Sequence, residues 1–164
     1  MKFISHRGNI DGISSANSLR ENSPEYIDRA LKKGFEVEVD IRLTTGYVPP
    51  GDFYLGHDSS QYEVSLDWLV ERKNKLWLHA KNVDCLRWFL RSSIGWNVFW
   101  HQKDDYTITS TGYIWVYPGK LPCYGSIIVM PEKTDYSWSL IRKCDGICSD
   151  NIEKYYEEFK ASNF

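Results

Sequence analysis

The stretch that decides the fold is Phe35–Leu43, F-E-V-E-V-D-I-R-L, in which acidic and apolar side chains alternate. A period of two predicts a β-strand with one apolar and one polar face. Glu38 and Asp40 then point to the same face, with Cα atoms about 6.5 Å apart. Two buried acids are costly unless a cation compensates them, and a divalent ion with oxygen ligands does so. The alternative is a half-exposed strand whose polar face lies in water, and a third alternating acid, Glu36, favours it.

Two histidines stand at the ends of predicted strands near this acid pair. His6 follows the short run 3–5 and precedes Arg7, and His57 follows the run 53–55. In barrels of alternating strands and helices, the active site lies at the carboxyl ends of the strands. We therefore expect these side chains to meet the acid pair at one rim. Two histidines beside a bound phosphate divide general-base and general-acid roles, and the planar fork of Arg7 suits phosphate oxygens.

The rest of the chain alternates short apolar runs with amphipathic stretches, which predicts βα units and a parallel sheet. Strands are predicted at residues 3–5, 35–43, 53–55, 76–78, 98–100, 113–116, 126–130 and 145–150, and helices at 24–34, 66–72, 82–90, 135–143 and the C-terminal segment. About seven of these eight runs count as core strands, which is fewer than a full eight-fold barrel has, and such a barrel usually needs about 250 residues. The 164 residues therefore predict one domain over 1–164, a TIM-barrel-like (β/α) barrel that is trimmed or incomplete. An open doubly wound sheet is the alternative.

Bulk composition narrows the class of protein. The formal net charge is −2 with acids and bases interspersed, so no basic run predicts nucleic-acid binding. No stretch has the apolar length of a membrane span. A cleaved signal peptide is not expected, because cleavage would remove His6. The four cysteines form no C-x-x-C pair, which favours reduced thiols in a cytoplasmic protein; they are Cys85, Cys123, Cys144 and Cys148.

An ordered set of motifs resembles the glycerophosphodiester phosphodiesterase family. The motifs are His6-Arg7-Gly8, Glu21-Asn22-Ser23, Glu38-Val39-Asp40 and His57-Asp58. Gly146–Asp150 and Trp115 reinforce the resemblance, although Trp115 fits the core as well as an apolar wall of the site. Residues 1–60 match well and the remainder matches loosely. The resemblance implies a TIM barrel, a divalent ion (Mg²⁺ or Ca²⁺), and hydrolysis of glycerophosphodiesters to an alcohol and glycerol phosphate.

The same resemblance implies roles for six side chains of this chain. By resemblance, His6 and His57 are the acid–base pair, Glu38 and Asp40 are metal ligands, Arg7 contacts the phosphate, and Glu21 orients Arg7 or completes the metal shell.

Three departures from the family pattern bear on the site. Ser23 stands where the family has Thr, and Pro49-Pro50 stands where an Asp-Gly turn is usual. Where the family has Glu-x-Lys, this chain has His79 and Lys81. By resemblance Lys81 keeps the phosphate contact, while His79 takes the position of the third metal ligand.

Replacing that carboxylate by an imidazole removes one negative charge and favours Mn²⁺ or Zn²⁺ over Ca²⁺. The sequence therefore predicts a metal-dependent phosphodiesterase of lipid metabolism that acts on a small-molecule diester in the cytoplasm. The alternative is a catalytically weak or inactive barrel that binds phosphorylated ligands or a protein partner.

Overall fold

The computed structural model describes residues 1–14, 18–44 and 52–162 of the chain. The predicted turn at Pro49-Pro50 lies outside these residues. The strands of the described part are β1 (Lys2–His6), β2 (Glu36–Thr44), β3 (Asp52–Leu55), β4 (Tyr62–Val64), β5 (Leu76–Ala80), β6 (Val98–Phe99), β7 (Tyr106–Ile108), β8 (Ile114–Val116), β9 (Ser126–Val129) and β10 (Gly146–Ser149). Its helices are α1 (Pro24–Lys32), α2 (Leu66–Arg72), α3 (Val83–Arg91), α4 (Trp138–Ile141) and α5 (Ile152–Ala161), with 3-10 helices at Ser18–Arg20 and Pro131–Lys133.

Local sequence signals set the helix starts. The Ser23 hydroxyl accepts a hydrogen bond from the backbone N–H of Tyr26 at 3.3 Å, and Pro24 occupies the first helical position of α1. Asn82 caps α3 in the same way, through the N–H of Cys85 at 3.0 Å. Because these caps satisfy backbone donors that a helix leaves unpaired, both helices begin where their sequences predict.

The sheet is mixed. Its main path of eight strands runs β4-β3-β2-β1-β10-β9-β8-β7, and β5 branches from β2 and continues to β6. Pairings of β2 with β1 and β5, and of β10 with β1 and β9, are parallel. The β2–β3, β3–β4 and β7–β8 pairings are antiparallel. The path is curled into a half-barrel.

The prediction of a TIM-barrel-like (β/α) barrel is therefore wrong. Within the described residues, no strand pairing joins β6 to β8, so the ring does not close. No helix separates β6 from β8, or β8 from β9, in that part of the chain. A βαβ crossover needs about 10–12 residues or more, and the links around β7 and before β9 are too short for one. The antiparallel strand β7 lies between β6 and β8, where the barrel pattern would have a helix, and the antiparallel strands β3 and β4 are inserted between β2 and α2.

Two apolar clusters cover the two faces of the sheet. One packs the sheet against the helices and includes Val37, Val39 and Ile41 of β2. The other fills the concave face and includes Ile4, Trp77, Phe99, Trp115, Ile127, Val129, Met130 and Cys148. Trp115 therefore belongs to the core. Because side chains alternate along a strand, the remaining face of β2 carries Glu38 and Asp40 onto the concave side, above this second cluster.

Candidate metal and phosphate site

Three side chains of the concave face bring candidate metal ligands together. Glu38 and Asp40 lie on β2, and His79 lies on β5, in register with Asp40. His79 Nδ1 is 3.3 Å from Glu38 Oε1 and 3.3 Å from Asp40 Oδ1. One ligand atom from each residue lies within 4.8 Å of the other two. We call these three residues the ligand triad.

The ligand triad fits a divalent cation. Glu38 and Asp40 are 2% and 0% exposed, respectively. Glu38 Oε2 and Asp40 Oδ1 are buried and accept no hydrogen bond. Buried carboxylate oxygens without hydrogen bonds are costly, so a cation bound at these two atoms would stabilise them. Two carboxylates and one imidazole form a donor set that suits first-row divalent metals.

The orientation of His79 is fixed from outside the triad. Its Nε2–H donates to the backbone carbonyl of His101 at 2.8 Å, and its ring stacks on Phe99 with centroids 4.9 Å apart. A metal-ligating histidine is commonly held by such a bond from its other ring nitrogen. This bond leaves Nδ1 facing the two acids.

Without an ion, a proton on His79 serves as the cation of the triad. Burial disfavours the charged ring, but the contacts with Asp40 and Glu38 outweigh burial and raise the pKa of His79 to about 9. Burial would also raise the pKa of Asp40, but the contact with His79 and the charges of Arg7 and Lys81 hold it well below its usual range. Asp40 is therefore ionised at neutral pH.

Arg7 and Lys81 flank the triad on its open side. Arg7 Nε is 2.9 Å from Asp40 Oδ2, and Lys81 Nζ is 3.5 Å from Asp40 Oδ1. Arg7 also reaches Glu21 Oε2 at 3.2 Å. The side chains of Arg7 and Lys81 are 19% and 15% exposed, so an anion from solvent can reach both cations.

The charges around the triad leave an excess of negative charge when His79 is neutral. The carboxylates are Glu21, Glu38, Asp40 and Asp150, and the permanent cations are Arg7 and Lys81. The contact with Asp150 favours a protonated His6, so four negative charges then face three positive ones. An ion held by the triad would compensate this excess in place of the proton on His79.

The backbone of Arg7 takes a conformation that favours glycine. Its φ is 53°, and the next residue, Gly8, has a φ of 89°. A Cβ at Gly8 would lie 2.9 Å from Cδ1 of Tyr26. Glycine is therefore needed for the chain to turn closely over α1 and bring Arg7 back to Asp40.

Asn22 is a site residue that our sequence reasoning named only as part of a motif. Its φ is 63°, its Nδ2 donates to Asp40 Oδ2 at 3.0 Å, and its Oδ1 accepts the backbone N–H of Asp40 at 2.9 Å. The sequence feature that could have identified Asn22 is its position between Glu21 and Ser23, the N-cap of α1. The two bonds hold the Asp40 carboxylate in its orientation.

His6 forms a buried pair with Asp150, which the sequence reasoning did not assign to the site. His6 Nδ1–H donates to Asp150 Oδ1 at 2.7 Å, and its Nε2 lies 3.9 Å from Glu38 Oε2. Asn9 Nδ2 also donates to Asp150 Oδ1, at 2.8 Å, and to Glu21 Oε1 at 2.6 Å. Asp150 follows β10 directly, so the strand-end argument used for His6 would have found it.

The two members of this pair affect each other's pKa values. Burial opposes protonation of His6, but the hydrogen bond to Asp150 and the charge of Glu38 outweigh burial and raise the pKa of His6. Burial alone would raise the pKa of Asp150, and the bond from His6 lowers it. The pair therefore favours a protonated imidazole bonded to a carboxylate.

His57 lies apart from the polar groups around the triad. Its side chain is 41% exposed and its Nδ1 is 2.7 Å from Asp58 Oδ1. Arg42 holds the His57 carbonyl at 2.6 Å, and the N–H of Gly56 donates to the carbonyl of Asp40 at 3.0 Å. In the described part of the chain, no hydrogen bond or ion pair joins His57 to the ligand triad.

His101 contributes its backbone and not its ring. Its Nε2 bonds the carbonyl of Asp104 at 2.5 Å, which turns the ring away from the triad. Its own carbonyl accepts from His79, as described above.

Comparison with protein-family models, with curated proteins and with solved structures finds no match for this chain. The resemblance in its motifs therefore supports a proposal and does not assign a family. No helix in the described residues has the length and apolar content to cross a bilayer.

Proposed function

We propose that this chain is a metal-dependent phosphodiesterase that hydrolyses glycerophosphodiester-like substrates to an alcohol and glycerol phosphate. The observation that carries the proposal is the ligand triad, with two buried carboxylate oxygens that accept no hydrogen bond, beside the cations Arg7 and Lys81. A diester phosphate carries one negative charge and needs positive groups around its non-bridging oxygens. The two flanking cations supply part of this charge, and an ion held by the triad would supply the rest.

Glu38, Asp40 and His79 would hold the divalent ion, which when bound supplies positive charge that stabilises phosphate oxygens in the transition state. The motif resemblance implies Mg²⁺ or Ca²⁺, and the imidazole of His79 favours Mn²⁺ or Zn²⁺. The pairing of His79 Nε2 with the His101 carbonyl supports this assignment, because it leaves Nδ1 for the ion.

Arg7 and Lys81 bind the phosphate from the open side of the site. Glu21 orients Arg7, because it bonds the guanidinium at 3.2 Å and is itself held by Asn9. Both cations already contact Asp40, so a phosphate that enters the site replaces part of their contact with that carboxylate.

His6 and His57 divide the proton transfers. The raised pKa of His6 favours its protonated form, which suits it to give a proton to the leaving alcohol oxygen. His57 then accepts the proton of the nucleophile through Nε2, because Nδ1 is engaged by Asp58. The nucleophile is water or the neighbouring hydroxyl of the substrate, and the second route forms a cyclic phosphate that water opens later.

The test is a diesterase assay with glycerophosphocholine and bis(p-nitrophenyl) phosphate. Protein dialysed against EDTA should be inactive, and Mn²⁺ or Mg²⁺ should restore turnover. His6→Ala and His57→Ala should each lower kcat by about 10²-fold or more. Glu36→Gln is the matched control, because Glu36 shares the polar face of β2 but bonds Lys2 and Trp77 instead. Full activity in EDTA, or in either histidine variant, would sink the proposal.

A second candidate is a non-catalytic protein that binds phosphorylated ligands. The exposure of His57 and its lack of contact with the described groups around the triad favour it. Binding of glycerol phosphate without turnover of either diester, under Mg²⁺, Ca²⁺, Mn²⁺ and Zn²⁺ in turn, would support this candidate.

We also propose that the protein acts in the cytoplasm on a small-molecule diester. All four cysteines are free, and three of them are buried. Free thiols are typical of proteins in a reducing compartment. Fractionation of the expressing cell tests this placement, and recovery with an extracytoplasmic fraction would contradict it.

A further inference from the structure

Glu132 holds the end of β10 with both of its carboxylate oxygens. It lies in the 3-10 helix Pro131–Lys133 that follows β9. Its Oε1 accepts the backbone N–H of Asp150 at 2.9 Å, and its Oε2 accepts the hydroxyl of Ser149 at 2.9 Å. Ser149 is the last residue of β10 and Asp150 is the first residue after it, so Glu132 binds both sides of the strand end.

The turn that carries Glu132 is itself strained. Met130 has a left-handed backbone, with φ 46° and ψ 56°, and its N–H donates to the carbonyl of Cys148 at 2.7 Å. Among the described non-glycine residues, only Arg7, Asn22 and Met130 have positive φ. Arg7 and Asn22 both contact Asp40. Strain of this kind persists where the surrounding structure requires one backbone position, and such positions cluster at functional sites.

From these contacts we infer that Glu132 is a positioning residue of the proposed active site. Asp150 lies beyond the last paired residue of β10, so strand pairing does not fix it. Glu132 holds its backbone N–H, and the N–H of Gly12 donates to its carbonyl at 2.8 Å. Its carboxylate, which Asn9 also holds, orients His6 at 2.7 Å. Glu132 therefore contributes to the position of the His6 ring through the backbone of Asp150. The inference rests on the proposed function for its catalytic consequence, but not for the position of His6.

Glu132 acts through hydrogen bonds and not through charge. Glu132 also lines a cavity of about 440 Å³, together with Trp138 and Tyr155. A glutamine can keep both bonds, since its Oε1 accepts from Asp150 and its Nε2 donates to the Ser149 hydroxyl. A methionine of similar length keeps neither.

The experiment compares Glu132→Met with Glu132→Gln. Glu132→Met should lower kcat on the order of 10²-fold with KM within about threefold, as expected when a supporting residue shifts a reacting group. Glu132→Gln should recover kcat to within about tenfold of the native value. Glu158→Met is the control, because Glu158 lines the same cavity without contact to β10.

A second readout does not depend on activity. The His6 Nδ1–H that is bonded to Asp150 should give a far-downfield proton resonance, assigned by its loss in His6→Gln. This resonance should shift or broaden in Glu132→Met and stay in place in Glu132→Gln. If Glu132→Met does not fold, Ser149→Ala removes one of the two bonds and should move the same resonance. An unmoved resonance with native kcat overturns the inference. If the native protein has no diesterase activity, the proposed function fails, and the resonance alone decides the role of Glu132.

Discussion

Asp40→Asn removes the negative charge that Arg7, His79 and Lys81 all contact. Asp40 is 0% exposed, and its carboxylate lies 2.9 Å from Arg7 Nε, 3.3 Å from His79 Nδ1 and 3.5 Å from Lys81 Nζ. Asn22 Nδ2 donates to it as well, at 3.0 Å. Every group that contacts the Asp40 carboxylate is a hydrogen-bond donor or a cation. An asparagine at this position loses the negative charge, and its NH₂ group, which is itself a donor, faces some of these donors. Breaking a buried ion pair costs about 3–5 kcal/mol, and the partial exposure of Arg7 and Lys81 favours the lower value, about 3 kcal/mol.

The assay is thermal unfolding in EDTA, followed by circular dichroism. For a chain of this length, a loss of about 3 kcal/mol lowers Tm by roughly 6–12 °C. Lys81→Met is the companion variant, because it removes one cation and leaves Arg7 and His79 on Asp40; its loss should be about 1 kcal/mol. A Tm for Asp40→Asn within about 2 °C of the native value, or a larger loss in Lys81→Met, would refute the view that Asp40 is the centre of this network.

Three further predictions follow from the same geometry. Gly8→Ala should lower the free energy of unfolding by about 2 kcal/mol, because the left-handed backbone and the close approach of Tyr26 both oppose a Cβ. Gly34→Ala is the control, because Gly34 also has a positive φ but has open space around it, and its loss should be about 1 kcal/mol. Equal losses in chemical denaturation would contradict the role of the Tyr26 contact at Gly8. In EDTA, His79 should stabilise the fold fully below about pH 6.5, its usual pKa, and this contribution should be lost as the pH rises through about 9, because its pKa is raised in the folded state. A pH series of unfolding that is identical for His79→Gln and the native protein would exclude this. His79→Glu should move the metal preference toward Mg²⁺ or Ca²⁺, since a third carboxylate replaces the imidazole, and titration of both proteins with Ca²⁺ and Zn²⁺ checks the shift.

Local features of the fold could be predicted from the sequence, because they depend on neighbouring residues. The start of a helix at residue 24 and the alternation along β2 are of this kind, and both are present in the structure. The predicted helix 135–143 is shorter in the structure, at Trp138–Ile141.

Closure of the sheet could not be predicted in the same way. Closure depends on which strands pair when they are distant in sequence. A short apolar run in the sequence looks the same whether it forms an antiparallel strand such as β7 or the strand of a βα unit. The motif resemblance implied a barrel, and the described pairings show a curled, mixed sheet that does not close.

The candidate site was predicted in part by the rule that chemistry gathers at strand ends. The rule placed His6, His57, Glu38 and Asp40 together. The structure brings His6, Glu38 and Asp40 into contact with Arg7 and His79, but within the described residues His57 forms no hydrogen bond or ion pair with the triad. The rule does not point to Asn22 or Glu132, because these residues contact other residues of the site through hydrogen bonds. Such bonds depend on backbone conformations, such as the positive φ of Asn22, that the sequence does not specify. Asp150 does follow a strand directly, but we did not apply the rule to the end of β10.

The most direct test of the central claim, that Glu38, Asp40 and His79 hold a divalent ion, is calorimetric titration of EDTA-dialysed protein with Mn²⁺ and Zn²⁺. The native protein and Glu36→Gln should each bind one ion per chain, and Glu38→Gln should lose that binding while it keeps its fold. No binding by the native protein, or equal binding by Glu38→Gln, would contradict the claim.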